Sequence, residues 1–91
     1  MFISKEKKEK ISEQILAYLY SVNPKSVFTS NIAKEIARDE EFIKNLLLIL
    51  KKEKLVVEIK KNSKGVDYLK RSRWRLSDEV YKVYKNRQSL N

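Results

Sequence analysis

The sequence predicts an α+β domain in which three helices precede a β-hairpin and a fourth helix follows it. Three observations carry that expectation. Apolar residues recur at helical spacing through the first half of the chain, the period switches to two after Leu55, and the single glycine sits in a tight turn between two β-prone stretches. The chain has 91 residues, 42% of them hydrophobic, with one Gly and one Pro, so one domain of long regular elements and few loops is expected. A domain of this size buries only ~60–65% of its unfolded surface, so pairing with a second copy would add stability.

A first helix is expected over about residues 5–22. Ser4 is positioned to cap it, and Ile11, Ile15, Tyr18, Leu19 and Val22 form its apolar stripe. Asn23-Pro24 ends it, because a residue before proline is pushed out of the α region. Val27-Phe28-Thr29 is a short β-prone piece. Thr29 or Ser30 can then cap a second helix over about residues 30–37, amphipathic through Ile32, Ala33, Ile36 and Ala37. Arg38-Asp39 breaks the pattern, with Asp39 as the next cap. Glu40 and Glu41 favour the positive end of a third helix over about residues 40–54, whose inward side chains are Ile43, Leu46, Leu47 and Leu50.

After Leu55, Val57 and Ile59 alternate with Val56, Glu58 and Lys60, which reads as a strand. Asn62-Ser63-Lys64-Gly65 is the turn. In the returning strand Tyr68, Trp74 and Leu76 are expected to share the inward face, so the hairpin spans about residues 55–76. Ser77 caps a last helix over about residues 78–88, carrying Val80, Tyr81, Val83 and Tyr84.

Charge narrows the function. Lys and Arg number 21 against 12 Asp and Glu, a net +9, and residues 60–75 alone carry +6. The seven basic residues there are Lys60, Lys61, Lys64, Lys70, Arg71, Arg73 and Arg75, against Asp67. A protruding ribbon of one sign is suited to a phosphate backbone or a minor groove. Without Cys or His the chain lacks disulfides, thiol chemistry, the usual general base and the commonest metal ligand. No phosphate-cradling glycine loop is present either, so no enzyme activity, cofactor or metal is expected. The longest apolar run, residues 46–50, is far below the ~20 residues a membrane span needs. No secretory signal is visible at the N-terminus, and a cytoplasmic protein without a membrane partner is expected. Richness in Lys, Glu and Ile leans toward a thermophile.

Helix, short strand, two helices, hairpin and helix is the order of a winged helix-turn-helix. The stretch from Thr29 through Ser77 resembles the winged-helix transcription regulators of bacteria, archaea and archaeal viruses, in the MarR-like and ArsR-like style. Three pieces carry the resemblance: "TSNIAKEIA" at 29–37, "FIKNLLLILKKEKLVV" at 42–57 and "RWRLS" at 73–77. Lys54 stands where that family usually has glycine, which implies a strained or reshaped left-handed turn. The turn "RDEE" at 38–41 lacks the usual small residue and carries net −2.

The resemblance implies that the third helix enters the major groove of double-stranded DNA. Its outward residues would be Glu41, Lys44, Asn45, Leu48, Lys51 and Lys52, with Asn45 able to bond adenine at two points and Lys44 able to reach guanine or phosphate. Thr29, Ser30 and Asn31 at a helix N-terminus can hold a phosphate. Lys60, Lys61, Lys64, Lys70, Arg71 and Arg73 would grip the backbone from the wing. Leu48 is a misfit on that face, to be explained by packing beneath the wing, by a thymine methyl or by a protein partner. The first and last helices commonly form a dimer interface in such proteins, and Phe2, Ile3, Tyr18, Tyr20, Tyr81 and Tyr84 supply aromatic and aliphatic surface for a homodimer. Two other readings use the same residues: a winged-helix interaction module within a larger complex, and an RNA-binding winged helix.

Overall fold

The structure, a computed structural model, describes residues 4–60 and 72–89. Among them the order is α1 (Lys5–Val22), β1 (Val27–Phe28), α2 (Thr29–Ile36), α3 (Glu40–Lys52), β2 (Val56–Ile59), β3 (Arg73–Leu76) and α4 (Asp78–Ser89). This is the α+β order expected from the sequence. The turn at 62–65, Tyr68, and the basic residues Lys61, Lys64, Lys70 and Arg71 lie outside the described residues, as do Phe2 and Ile3.

Local chemistry sets most helix boundaries. Ser4 Oγ accepts from the Lys7 N–H at 3.2 Å to start α1, and the helix stops at Val22, before Asn23-Pro24. Asp39 Oδ2 accepts from the Phe42 N–H at 3.2 Å to start α3, and Ser77 Oγ accepts from the Val80 N–H at 3.3 Å at the head of α4. The start of α2 corrects the sequence reading. Its cap position is Phe28, not Thr29 or Ser30, and the Phe28 N–H donates to Asn31 Oδ1 at 3.1 Å. Thr29 turns inward instead, and its hydroxyl accepts from Trp74 Nε1 at 2.8 Å in the core.

Two helix ends close on left-handed residues. Ala37 (φ 61) follows α2, where the Arg38 N–H reaches Ala33 O at 3.0 Å and the Ala37 N–H reaches Lys34 O at 3.3 Å. Lys54 (φ 64) follows α3, where Leu55 N–H reaches Leu50 O and Lys54 N–H reaches Lys51 O, both at 2.9 Å. Both pairs are the crossed bonds of a Schellman stop. Ala37 therefore ends the second helix and is exposed, where the periodicity put it inside an amphipathic face. The left-handed turn expected to suffer from Lys54 is kept, and the third helix ends two residues earlier than its sequence pattern allows.

The sheet order is β1-β3-β2, antiparallel throughout. Val27 pairs with Trp74 and Phe28 with Arg73, so the two-residue β1 adds an edge to the hairpin. In β2 and β3, Val56 faces Leu76 and Glu58 faces Trp74. The inward face of β2 therefore carries Val56 and Glu58. Val57 and Ile59, the apolar pair in the alternation, are half-buried on the other face, opposite Arg75 and Arg73. Ile11, Ile15 and Leu19 of α1, Ile32 of α2, and Ile43, Leu46, Leu47 and Leu50 of α3 pack with Trp74 and Leu76 in one core. No described helix is long and apolar enough to cross a membrane.

Candidate nucleic-acid interface

The inward stripe of α3, Ile43, Leu46, Leu47 and Leu50, fixes what the helix shows outward. At 100° per residue the opposite face carries Glu41, Asn45, Leu48 and Lys52, flanked by Lys44 and Lys51 toward the hairpin. Lys44, Asn45, Lys51 and Lys52 are exposed. Leu48 is 42% exposed on that face. Ile49, which the sequence reading passed over, is 50% exposed on the other flank, beside Leu16 and Leu55.

Lys44 and Glu40 of α3, Ser30 of α2 and Ser72 before β3 line one shallow recess, floored by Thr29 and Trp74. The tertiary fold thus brings the start of the second helix, the first turns of the third and the root of the hairpin side by side. Ser30 is half-buried at the rim, and Asn31 is exposed with its side chain engaged by the Phe28 N–H. On the other side of Phe28 a second cleft holds Tyr18, Lys25, Asn31 and Arg73, and the Arg73 guanidinium lies 5.1 Å from the Phe28 ring centre. Lys25 and Ser72 were missed in the sequence, because nothing in their local spacing says which elements they border.

The acidic entrance to α3 has a local cause. Asp39 is the cap, and Glu40 and Glu41 stand in the first turn at the positive end of the helix dipole. At the other end Lys51 does not stand alone: its ammonium contacts Glu58 Oε1 at 2.8 Å, and Glu58 Oε2 accepts from Ser72 Oγ. Lys60 is 3.9 Å from the same Oε1. Burial alone would raise the Glu58 pKa, but hydrogen bonds from Lys51 and Ser72 and the charges of Lys51 and Lys60 hold it below the usual carboxylate range. Arg75 is drawn to the next helix, bonding Leu76 O at 2.9 Å and Asp78 at 3.4 Å.

Of the residues set aside for a dimer interface, Tyr81 and Tyr84 meet Tyr20 of the same chain, with ring centres 5.5 and 5.3 Å apart. Part of the aromatic surface expected to serve a homodimer thus joins α4 to α1. Burial and the charge of Glu13 raise the Tyr84 pKa, with Arg87 acting the other way. Tyr18 stays half-buried in the Lys25 cleft. Among the described residues no cluster of acidic side chains could hold a metal ion.

No protein-family model and no curated protein matches the sequence. Solved structures do. S. aureus MepR in complex with DNA is 23% identical, with a TM-score of 0.73 over 92% of this chain and 66% of that one. The Zalpha domain of PKZ from Carassius auratus, in complex with Z-DNA, is 21% identical, with a TM-score of 0.60 over 77% of this chain and 97% of that one. The PcaV transcriptional regulator of Streptomyces coelicolor is 18% identical, with a TM-score of 0.68 over 89% of this chain and 55% of that one. The chain spans 53% and 66% of the length of two MepR chains it matches. Element order, sheet topology and these superpositions make the fold a winged helix-turn-helix.

Proposed function

We propose that this chain is a double-stranded DNA-binding transcription regulator that sets α3 in the major groove and its basic hairpin on the backbone. The observation that carries the proposal is the outward face of α3, where Lys44, Asn45, Leu48 and Lys52 are exposed together beside the hairpin root. Lys44 and Lys52 supply charge toward phosphates or guanine, Asn45 can bond adenine at two points, and Leu48 fits a thymine methyl. Ser30, at the start of α2, is within the same recess as Lys44 and supplies a hydroxyl for a phosphate. Thr29 lines the same recess, with its hydroxyl accepting from Trp74 Nε1. A net charge of +9 supports the polyanion partner, and the DNA complexes of MepR and of the PKZ Zalpha domain support the nucleic acid as that partner.

Titrating a labelled duplex at two salt concentrations tests the reading. Affinity should fall steeply with salt, and no binding at low salt would sink it. An RNA duplex offered as competitor should displace the DNA poorly; equal displacement would favour an RNA-binding winged helix. A homodimer through α1 and α4 completes the proposal, supported by exposed Val83 and the half-buried edges of Tyr81 and Tyr84. Sedimentation of the free chain is expected to give twice the monomer mass, and a lone monomer on a single half-site would remove the dimer from it.

A further inference from the structure

Glu58 is an acid that borders the basic stretch at residues 60–75, and the register of β2 turns it inward. Its side chain is 7% exposed, and both carboxylate oxygens are engaged. The partners come from three places: Lys51 in the last turn of α3, Ser72 just before β3 and Lys60 just after β2. A buried carboxylate is costly to desolvate and is tolerated only where its partners are held in place. Here those partners are the groove helix and the two strand roots of the hairpin. Lys51 is 48% exposed, so its stem lies at the surface while its ammonium is turned onto Glu58.

We propose that Glu58 is a positioning residue for DNA binding: it ties the end of α3 to both roots of the hairpin and keeps the Lys51 ammonium off the phosphates. The inference rests on the DNA-binding reading above. It removes Lys51 from the contacts that the sequence assigned to it and makes the Lys51–Glu58 pair neutral toward the nucleic acid. The charge that grips phosphate near this end of α3 is then that of Lys52 and Lys44.

Four proteins decide it: wild type, Lys51→Gln, Glu58→Gln and the double variant. The slope of log affinity against log salt on one duplex should steepen by about one unit in Glu58→Gln, as the freed lysine takes a phosphate. In the double variant it should return to the wild-type slope, because a neutral pair has replaced a neutral pair. A double variant whose slope is shallower by about one unit would mean that Lys51 contacts phosphate, and it would overturn the proposal, as would an unchanged slope in Glu58→Gln. Unfolding of the same four proteins tests the tether without DNA. The two substitutions should couple by about fivefold in the folding equilibrium constant, and simple additivity would refute the tether. If wild type binds no duplex, the DNA-binding reading fails and the role of Glu58 in it falls too, while the unfolding cycle still decides the tether.

Discussion

Lys54 holds φ 64 at the end of α3, in a backbone region that costs a side-chain-bearing residue ~1–2 kcal/mol. The crossed hydrogen bonds from Leu55 and Lys54 back to Leu50 and Lys51 offset that cost and keep the turn that glycine normally makes. Lys54→Gly is therefore expected to raise stability by about 1 kcal/mol, read as a higher urea midpoint with an unchanged slope. Trp74, by contrast, depends on a distant residue. Its indole is fully buried, and its N–H is satisfied by Thr29, 45 residues away. Thr29→Val keeps the shape and removes the acceptor, so it should cost about 1–3 kcal/mol in unfolding free energy. The sequence showed Thr29 as a cap candidate because Thr29 and Ser30 fit a cap equally well; only the long-range contact separated them.

At the scale of elements, α3 was the most legible. Its apolar spacing defined the buried stripe, and the stripe by subtraction defined the face offered to a partner. Asn45→Ala should leave stability nearly unchanged, since the residue is exposed, and should erase about 1–3 kcal/mol of discrimination at one base position in a selection from random duplexes. Unchanged affinity and preference would remove Asn45 from the reading. The hairpin was half legible. Alternation after Leu55 indicated a strand, but a one-residue change of register exchanges its faces, and the pattern of β2 has apolar residues on both. Pairing with β3 decided that Glu58 points inward. Because its pKa is held down in the folded state, its contribution to stability is present above the ordinary carboxylate pKa. It is lost as pH falls through the lowered value. A thermal unfolding series below pH 5 should show this loss in wild type and a smaller one in Glu58→Gln.

For the whole molecule, periodicity, caps and composition determined the α+β class, the order of the elements, most helix boundaries and the basic character, because these depend on neighbours within about one helical turn or one strand pair. Ser4, Asp39 and Ser77 were readable as caps for that reason. The tertiary structure alone decided that Val27 and Phe28 pair with β3, that Tyr20 takes up Tyr81 and Tyr84, and that Lys44, Ser30 and Ser72 share one recess. Each of these joins segments far apart in the chain, and no local spacing encodes which distant partner will be met. The outward chemistry of α3 was therefore visible in the sequence. The neutralisation of Lys51 by Glu58 was not, because it exists only where the end of a helix and the inner face of a strand are brought together.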